Sequence, residues 1–346
     1  PIRSWSRRFA QAPSPRMPVI SRREYAVIAV IGAGLAGLLL LVYAPGIGRE
    51  FNGAERWVGW PPRPEADRNK PGGFTMQPSE FAKWGAVFLT AWWCGRRADR
   101  LGTFFSGLVP ILIVVAGLAA IVTLEDLGTG VLIGAATGFV LLAGGVRLTH
   151  AAVFVPPAAV AFGCAAWFSP YRMQRLVTFL NPYADPQEGG YHIIQSLSAI
   201  AGGGVFGRGL GHGLQKFGYL PEDTTDFLFA IVCEELGLAG AASVCFAYVL
   251  LVSTILGIAR REPDAALRAA DIGVGATIAI QATMNLLVGT GLAPTKGIAL
   301  PLMSAGGTGW ILTAGAIGVV MSIDRTQPKA VAAERELARP STSAPA

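Results

Sequence analysis

An acidic cluster at the end of a long polar segment is the first place in this sequence where chemistry could occur. Glu222, Asp223 and Asp226 directly precede an apolar stretch of membrane length. Asp226 lies nearest to that stretch, so a less polar environment should raise its pKa and make it a usable general base. We interpret Glu222 and Asp223 as solvated or helix-start charges. For any one of these carboxylates, a helix cap or a structural ion pair is an equally good interpretation.

A second pair of charges opens another apolar stretch. Glu80 and Lys83 are three residues apart and therefore share one face of a helix, and Pro78 suits the first turn of that helix. Charges that face lipid are costly, which favours a pair that faces an internal cavity. The alternative is a helix cap with a lysine that snorkels to the membrane surface.

Five cations accompany these carboxylates in the polar segments. If they cluster, they would bind a diphosphate through charge-assisted hydrogen bonds. If they are scattered, they are solvated surface charges, and the sequence leaves both interpretations open. The five are Arg56, Arg172, Arg175, Arg208 and Lys216.

Metal and nucleotide sites are not indicated by the sequence. His192 and His212 are isolated, which makes each a weak candidate for a base or a metal ligand. The four cysteines lie in apolar stretches without a CxxC pair, so we interpret them as buried hydrophobes. The glycine-rich segment 202–213 has no GxxxxGK[ST] motif and no βαβ context, and is interpreted as a tightly turning surface or re-entrant segment.

The elements that must position these residues are transmembrane helices. The chain has 346 residues, of which 52% are hydrophobic and 14% are charged, whereas soluble domains carry about 25% charged residues. Eight apolar spans have roughly the length of a bilayer crossing. The sequence therefore predicts an all-α, polytopic integral membrane protein with about eight transmembrane helices, at 25–44, 81–95, 104–123, 128–145, 149–168, 227–258, 270–292 and 308–323.

The positions of the charges predict how these helices are oriented. Eight spans place both termini on one side, and Arg and Lys concentrate beside the span ends that would be cytoplasmic. This pattern explains the net charge of +6 without a nucleic-acid partner. We predict a basic cytoplasmic tail, a membrane domain and a disordered cytoplasmic tail, at 1–24, 25–323 and 324–346. Function is expected on the outer face, in segments 45–80 and 293–307 and in one large extracytoplasmic loop at 169–226.

Seven motifs follow one another along the chain. They are GAERW at 53–57, QPSEFAK at 77–83, DLGTG at 126–130, YRMQRLVTFLNPYADPQEGGYHIIQS at 171–196, GGGVFGRGLGHG at 202–213, YLPEDTTDFLFAIVCEELG at 219–237 and PTKGIALPLMSAGG at 294–307. In this order they resemble the SEDS family (shape, elongation, division and sporulation), which includes RodA and FtsW. The resemblance covers about residues 40–323, and it is specific because the motifs occur together.

The resemblance implies a peptidoglycan glycosyltransferase in the bacterial cytoplasmic membrane. Such a protein polymerises lipid II into glycan strands at the outer face of that membrane during cell division or elongation. Its implied partners are a class B penicillin-binding protein, which crosslinks the strands, and other divisome or elongasome membrane proteins. The essential aspartate of the family maps onto Asp226, and a conserved glutamate and lysine map onto Glu80 and Lys83.

This reaction fits the residues identified above. The donor sugar carries an α-linked diphosphate and the product linkage is β-1,4, so one in-line displacement with inversion suffices, without the second carboxylate of a glycoside hydrolase. We expect Asp226 to act as the base, and Lys83 and the five cations named above to bind diphosphate or sugar. Glu80 is expected at the same substrate site, where it orients Lys83. No bound metal or other cofactor is predicted, although Mg²⁺ or Mn²⁺ could assist the diphosphate.

The chain also departs from the family pattern. Members typically have ten spans, so the first two are expected to be missing here. Four residues differ from the usual motifs, namely Glu55, Glu125, Thr224 and Ala305. Two other functions stay open. One is a flippase for the lipid-linked precursor, which would use the same cations without a base, and the other is a non-catalytic scaffold of a cell-wall synthase.

Overall fold

The computed structural model describes residues 22–51, 54–62, 73–153 and 155–337. The expected cytoplasmic tail at 1–24 therefore lies almost entirely outside the described residues. In the described part, the helices are α1 (Arg22–Leu40), α2 (Pro78–Arg96), α3 (Val109–Glu125), α4 (Leu127–Ala143), α5 (Leu148–Ala152), α6 (Val155–Trp167), α7 (Pro170–Leu180), α8 (Tyr191–Gly203), α9 (Leu228–Arg261), α10 (Ala265–Gly289) and α11 (Gly307–Leu337).

Each of the eight predicted spans contains helix, which confirms the prediction of a mostly helical, polytopic membrane fold. Within the described residues, six segments are long and apolar enough to cross a membrane, namely Arg23–Tyr43, Phe104–Glu125, Leu148–Ala165, Leu228–Arg261, Ala265–Gly289 and Gly307–Gln327. The other two spans correspond to α4, an apolar helix of 17 residues, and to α2, which has 19 residues and carries Glu80 and Lys83.

Three features differ from the sequence-based expectations. Segment 45–80 contains a small antiparallel sheet. Its strands pair residues that are distant in the sequence, and composition does not reveal such pairing. The predicted loop 169–226 is partly helical, since α7 and α8 lie within it. Helix α11 continues without interruption to Leu337, into the segment 324–346 that was predicted to be a disordered tail; residues 338–346 lie outside the described part.

The sheet consists of β1 (Gly48–Phe51), β2 (Ala54–Trp60) and β3 (Phe74–Met76), with β2 in the middle. Arg49 pairs with Trp57 across β1 and β2, and Val58 pairs with Met76 across β2 and β3. Because β3 ends directly before α2, the sheet is joined without a linker to the helix that carries Glu80. Strand β2 is thereby fixed beside the start of α2, and it carries Arg56.

Helices α2, α4 and α10 pack closely at the centre of the bundle. A Cβ atom on Gly273 of α10 would lie 2.7 Å from side-chain atoms of both Val87 on α2 and Val140 on α4. All three helices therefore meet at a position that only glycine fits. This close approach places the polar residues of α2 against those of α10.

Helix α9 is interrupted at Gly237, whose φ of 64° lies in the left-handed region. The glycine-rich segment satisfies the backbone groups that this break leaves free. The backbone N–H of Arg208 donates to the Glu234 carbonyl at 2.9 Å, and Leu238 N–H donates to the Gly204 carbonyl at 3.0 Å. Non-helical backbone within the membrane requires such partners. Segment 202–213 therefore stabilises the break in α9 through backbone hydrogen bonds.

Candidate functional site

Residues from all three predicted outer segments line one cavity of about 710 Å³. Helix α2 contributes Glu80, α10 contributes Gln281, and the connecting segments contribute the remaining charged groups. The side chains that matter for chemistry are Arg56, Glu80, Arg175, Asp226, Gln281 and Lys296. The structure therefore brings carboxylates and cations together in a space large enough for a sugar and a diphosphate.

The backbone of Asp226 is tied to α10 by Asn285. The Asn285 side-chain amide donates to the Asp226 carbonyl and to the Ile298 carbonyl, both at 2.8 Å. Asn285 is 1% exposed, so these bonds form away from bulk water. The Asn285 amide thus ties the acidic segment 222–226 to the segment 293–306.

A second tether joins the same two segments. The Ser304 hydroxyl donates to the Thr225 carbonyl and accepts from the Leu300 N–H at 2.8 Å. The Ala305 N–H donates to the Thr224 carbonyl at 2.9 Å. Thr224 and Ala305 are two of the positions that depart from the family motifs, and this bond uses only their backbone atoms. Neither departure removes the tether.

The environment of Asp226 raises its pKa to about 7 from its ordinary value of 3.8. Burial is the main cause, and the negative charge of Glu222 acts in the same direction, whereas Arg56 and Arg175 oppose it. The raised pKa agrees with the expectation drawn from the position of Asp226 beside an apolar stretch. Near neutral pH this carboxylate can both accept and release a proton.

Arg56 is fixed at the junction between α3 and α4. Its Nε and Nη2 atoms donate to the Glu125 carbonyl at 3.2 and 2.9 Å, and Nη1 lies 3.9 Å from Asp126 Oδ2. A Cβ atom on Gly297 would lie 3.2 Å from Asp226 Oδ2 and 3.5 Å from Arg56 Nη1. The Asp226 carboxylate and the Arg56 guanidinium therefore approach the same point in the cavity, and Gly297 leaves that point open.

Two further cations complete the charged wall. Arg175 of α7 donates to the Thr295 carbonyl at 3.1 Å and stacks over Tyr171 at 4.4 Å from the ring centroid. Lys296 follows Thr295 and lines the same cavity. Burial lowers the pKa of both side chains from their ordinary values. Both cations are therefore partly desolvated, which strengthens their attraction for a phosphate group.

The Glu80 and Lys83 pair lies inside the bundle, as the sequence predicts, but its members have different positions. Lys83 is fully buried, and its Nζ atom donates to Glu80 Oε2 at 2.7 Å and to Gln281 Oε1 at 2.8 Å. Glu80 and Gln281 line the cavity, whereas Lys83 lies behind them. The geometry supports an arrangement in which Lys83 orients Glu80, the reverse of the expected relation.

Three of the expected binding cations lie away from the cavity. Arg172 donates to the carbonyls of Ala165, Thr123 and Leu124 at 2.6 to 3.0 Å, so it stabilises the ends of α3 and α6. Arg208 pairs with Glu234 Oε1 at 3.3 Å, and Lys216 pairs with Glu235 Oε1 at 2.6 Å. The latter two hold the glycine-rich segment on the broken part of α9.

Several cavity residues were not singled out as binding residues from the sequence. Lys296 could have been found, because it is a cation in an outer segment and lies within the motif at 294–307. Gln281 gave no signal, since a single amide in an apolar helix does not show which way it faces. His192, considered only weakly, lines the cavity and stacks on Phe227 at 5.9 Å between ring centroids. Burial and the nearby Arg175 lower the pKa of His192 from its ordinary value.

Among the described residues, no three His, Cys, Asp or Glu side chains gather closely enough to hold a metal ion. Four carboxylates line the cavity, those of Glu80, Glu188, Glu222 and Asp226, and they do not form such a group. A divalent cation in this cavity would therefore need oxygen ligands from a bound diphosphate.

Known proteins resemble this chain over most of its length. Residues 17–329 match the family that groups FtsW, RodA and SpoVE, described as "Cell cycle protein". The probable peptidoglycan glycosyltransferase FtsW of Nitrosococcus halophilus is 40% identical over 292 residues, which cover 83% of this chain and 72% of the relative. Stage V sporulation protein E of Bacillus subtilis is 38% identical over 290 residues, 83% of this chain and 76% of the relative.

Solved structures share the fold. A chain of a peptidoglycan synthase complex, studied for the coordination of polymerization and crosslinking, has a TM-score of 0.66 and 24% identity, with 93% of this chain and 85% of that chain covered. The rod shape determining protein RodA of Thermus thermophilus has a TM-score of 0.56 and 23% identity, with 89% and 81% covered. The family match over residues 17–329 and the relatives at 38 and 40% identity confirm the resemblance drawn from the seven motifs: the chain belongs to the FtsW, RodA and SpoVE family.

Proposed function

We propose that this protein is a peptidoglycan glycosyltransferase that polymerises lipid II into glycan strands. The observation that carries the proposal is one cavity in which the carboxylate of Asp226, with its raised pKa, faces the guanidinium of Arg56. A glycosyl transfer from a diphosphate donor needs one base and positive charge at the leaving group, and this cavity offers both. Relatives at 36 to 40% identity that carry the name peptidoglycan glycosyltransferase support the same reaction.

The proposed reaction is a single displacement. The acceptor 4-hydroxyl attacks the donor sugar at C1, its proton passes to Asp226, and the bond between C1 and the diphosphate oxygen breaks. The electron pair of that bond leaves with the diphosphate. Attack opposite the leaving group converts the α linkage of the donor into a β linkage in the product. Proton removal by a positioned base of this kind typically contributes about 10²–10⁴-fold to the rate.

The proposed diphosphate site consists of Arg56, Arg175 and Lys296. These cations line the same cavity, and two of them are held by bonds to backbone carbonyls. Preorganised positive charge stabilises the negative charge that develops on the leaving group. The geometry gives no support to Arg172, Arg208 or Lys216 in this role, since each has a structural partner away from the cavity.

Glu80 and Gln281 form the proposed sugar-binding side of the cavity. Glu80 accepts from Lys83, and Gln281 donates through Nε2 to the Ala299 carbonyl at 2.9 Å. Their orientation is therefore fixed before substrate arrives. A fixed carboxylate and a fixed amide suit the hydroxyl and acetamido groups of an amino sugar.

An assisting Mg²⁺ or Mn²⁺ stays part of the proposal. A magnesium ion bound mainly by substrate phosphates needs only one or two protein carboxylates, and Asp226 and Glu222 both line the cavity. The proposed location is the bacterial cytoplasmic membrane with both termini in the cytoplasm. The proposed partner is a class B penicillin-binding protein, within a division or elongation assembly.

Reconstituted polymerisation tests the function. The purified protein and its class B partner, supplied with lipid II and Mg²⁺, should produce glycan strands that a muramidase digests. Asp226→Asn should abolish the strands while the protein keeps its elution profile and unfolds at a temperature no lower than that of the wild type. Asp223→Asn serves as the control, because Asp223 does not line the cavity, and it should keep most of the activity.

The same experiment separates the alternatives. Transfer of lipid II across vesicles without strand formation would indicate a flippase and would refute the proposal. Undiminished strand formation with Asp226→Asn would place catalysis in the partner and would indicate a scaffold.

A further inference from the structure

Glu125, the last residue of α3, connects two segments that flank the cavity. Its Oε1 atom accepts from the Tyr43 hydroxyl at 2.7 Å, directly after α1. Its Oε2 atom accepts from the backbone N–H of Glu55 in β2 at 3.2 Å. One carboxylate therefore holds the end of α1 and the middle strand of the sheet against the end of α3.

Arg56, the residue that follows Glu55, also contacts Glu125. The Arg56 guanidinium donates two hydrogen bonds to the backbone carbonyl of Glu125. The side chain of Glu125 thus fixes the strand from which Arg56 projects, and the carbonyl of Glu125 fixes the charged end of Arg56. Asp126, the next residue, lies 3.9 Å from Arg56 Nη1 and adds an opposite charge.

This double contact determines where the positive charge lies. An arginine side chain has about 2 kcal/mol of rotamer entropy, and a displacement of about 1 Å in a catalytic group can cost about 100-fold in rate. Without the Glu125 carboxylate, the Tyr43 hydroxyl and the Glu55 N–H lose this acceptor, so β2 keeps its pairing with β1 and β3 but loses a side-chain tie to the end of α3. The carbonyl of Glu125 would remain, but the strand that carries Arg56 would be held less firmly against it.

We propose that Glu125 is a positioning residue for Arg56, through its contacts with Tyr43 and with the backbone of β2. The inference rests on the proposed function, because Arg56 is assigned there to the diphosphate. The carboxylate is used as a hydrogen-bond acceptor, so its negative charge is not required. Glutamine can replace it, since its Oε1 atom can accept from the Glu55 N–H and its Nε2 atom can donate to the Tyr43 hydroxyl oxygen.

Steady-state kinetics of strand formation with lipid II tests this role. Glu125→Ala should lower kcat/KM about tenfold, which corresponds to a change of about 1.4 kcal/mol, and Glu125→Gln should stay within about twofold of the wild type. In an Arg56→Ala background, Glu125→Ala should have no further effect, because the residue that it positions is gone. Tyr43→Phe should lower kcat/KM less than Glu125→Ala does, and this loss should also disappear in the Arg56→Ala background. If Glu125→Ala does not fold, Tyr43→Phe is tested in its place.

Hydrogen exchange of the peptide that covers residues 54–62 provides a readout that does not depend on activity. The exchange should be faster in Glu125→Ala and unchanged in Glu125→Gln. An inactive wild type would refute the proposed function, while the exchange data would still decide whether Glu125 holds β2. Equal losses with Glu125→Ala in the wild-type and Arg56→Ala backgrounds, or full activity of Glu125→Ala with unchanged exchange, would overturn the inference.

Discussion

The Nζ atom of Lys83 lies 2.7 Å from Oε2 of Glu80, and no part of the lysine side chain is exposed. Lys83 donates a second hydrogen bond to Gln281 Oε1 at 2.8 Å, and Glu80 and Gln281 line the cavity whereas Lys83 does not. The cavity therefore presents the carboxylate and the amide, and the ammonium group acts through them. A buried ion pair of this kind makes stability depend on both partners being present.

Removal of the lysine charge alone should destabilise the protein strongly. Lys83→Met leaves the Glu80 carboxylate without its cation, and breaking a buried pair by removing one partner costs about 3–5 kcal/mol. Activity should fall as well, because Glu80 loses its fixed orientation. Thermal unfolding of the detergent-solubilised variant measures the first effect, and strand formation measures the second.

The double variant Glu80→Gln with Lys83→Met is the matched control. It removes both charges, so its unfolding temperature should lie above that of Lys83→Met alone, while its activity stays low because Glu80 lines the cavity. A double variant that is less stable than Lys83→Met would contradict the ion-pair interpretation.

Activity should follow the ionisation of Asp226. With a pKa of about 7, the base is protonated in acid, so kcat/KM should fall about tenfold per pH unit well below 7 and level off above it. Glu222→Gln removes a negative charge that raises this pKa, so the acidic limb should move to lower pH. Lipid II polymerisation rates between pH 5 and 9 give both profiles. An acidic limb at the same pH in Glu222→Gln and in the wild type would contradict the assignment of Asp226 as the base.

The same shift predicts how stability depends on pH. The pKa of Asp226 is raised in the folded state above its ordinary value of 3.8, so the folded state binds more protons than the unfolded state between these values. The contribution of this group to the free energy of unfolding therefore falls as pH rises from about 4 to 7. Asp226→Asn should remove that fall and raise the unfolding temperature at pH 8, where the wild type carries the buried charge. An equal unfolding temperature of both proteins at pH 8 and pH 5 would argue against the raised pKa.

Properties that depend on local sequence could be predicted. The helices follow from apolar spans of bilayer length, and the raised pKa of Asp226 follows from its place beside one of them. Segment 45–80 shows the limit, because strand pairing joins distant residues, and a composition rich in Gly and Pro gives no register. The break at Gly237 could not be predicted either, since its neighbours Leu236 and Leu238 are apolar.

The positions of the charged side chains depend on packing that the sequence does not specify. Arg172 and Arg175 lie on the same short helix, yet the first bonds to the end of α3 and the second faces the cavity. Lys83 was expected to contact substrate, but the close approach of α10 buries it. Which member of a charged pair reaches a cavity is decided by the neighbouring helices.

The contrast between Arg172 and Arg175 yields a matched pair of variants. Arg175→Gln removes a partly desolvated cation from the cavity, so kcat/KM for lipid II should fall by about 10- to 100-fold. This range corresponds to about 1.5–3 kcal/mol for a charged hydrogen bond. The unfolding temperature should change little. Arg172→Gln should lower the unfolding temperature, because three carbonyls lose their donor, with a smaller change in kcat/KM of the folded fraction. The opposite distribution of effects would show that the assignment of these arginines is reversed.

Asn285 should control catalysis through the backbone of Asp226. Asn285→Ala leaves the carbonyls of Asp226 and Ile298 without their donor, and each unsatisfied buried group costs about 1–3 kcal/mol. The acidic segment keeps its bonds to Ser304 and Ala305, so the protein should still fold, but Asp226 should lose its fixed distance to the acceptor hydroxyl. We expect kcat to fall about tenfold or more with little change in KM, measured with lipid II. Thr290→Val, at the C-terminal cap of the same helix, is the control, because the Thr290 hydroxyl donates only to carbonyls of α10. Equal kinetics of Asn285→Ala and Thr290→Val would show that the tether does not position the base.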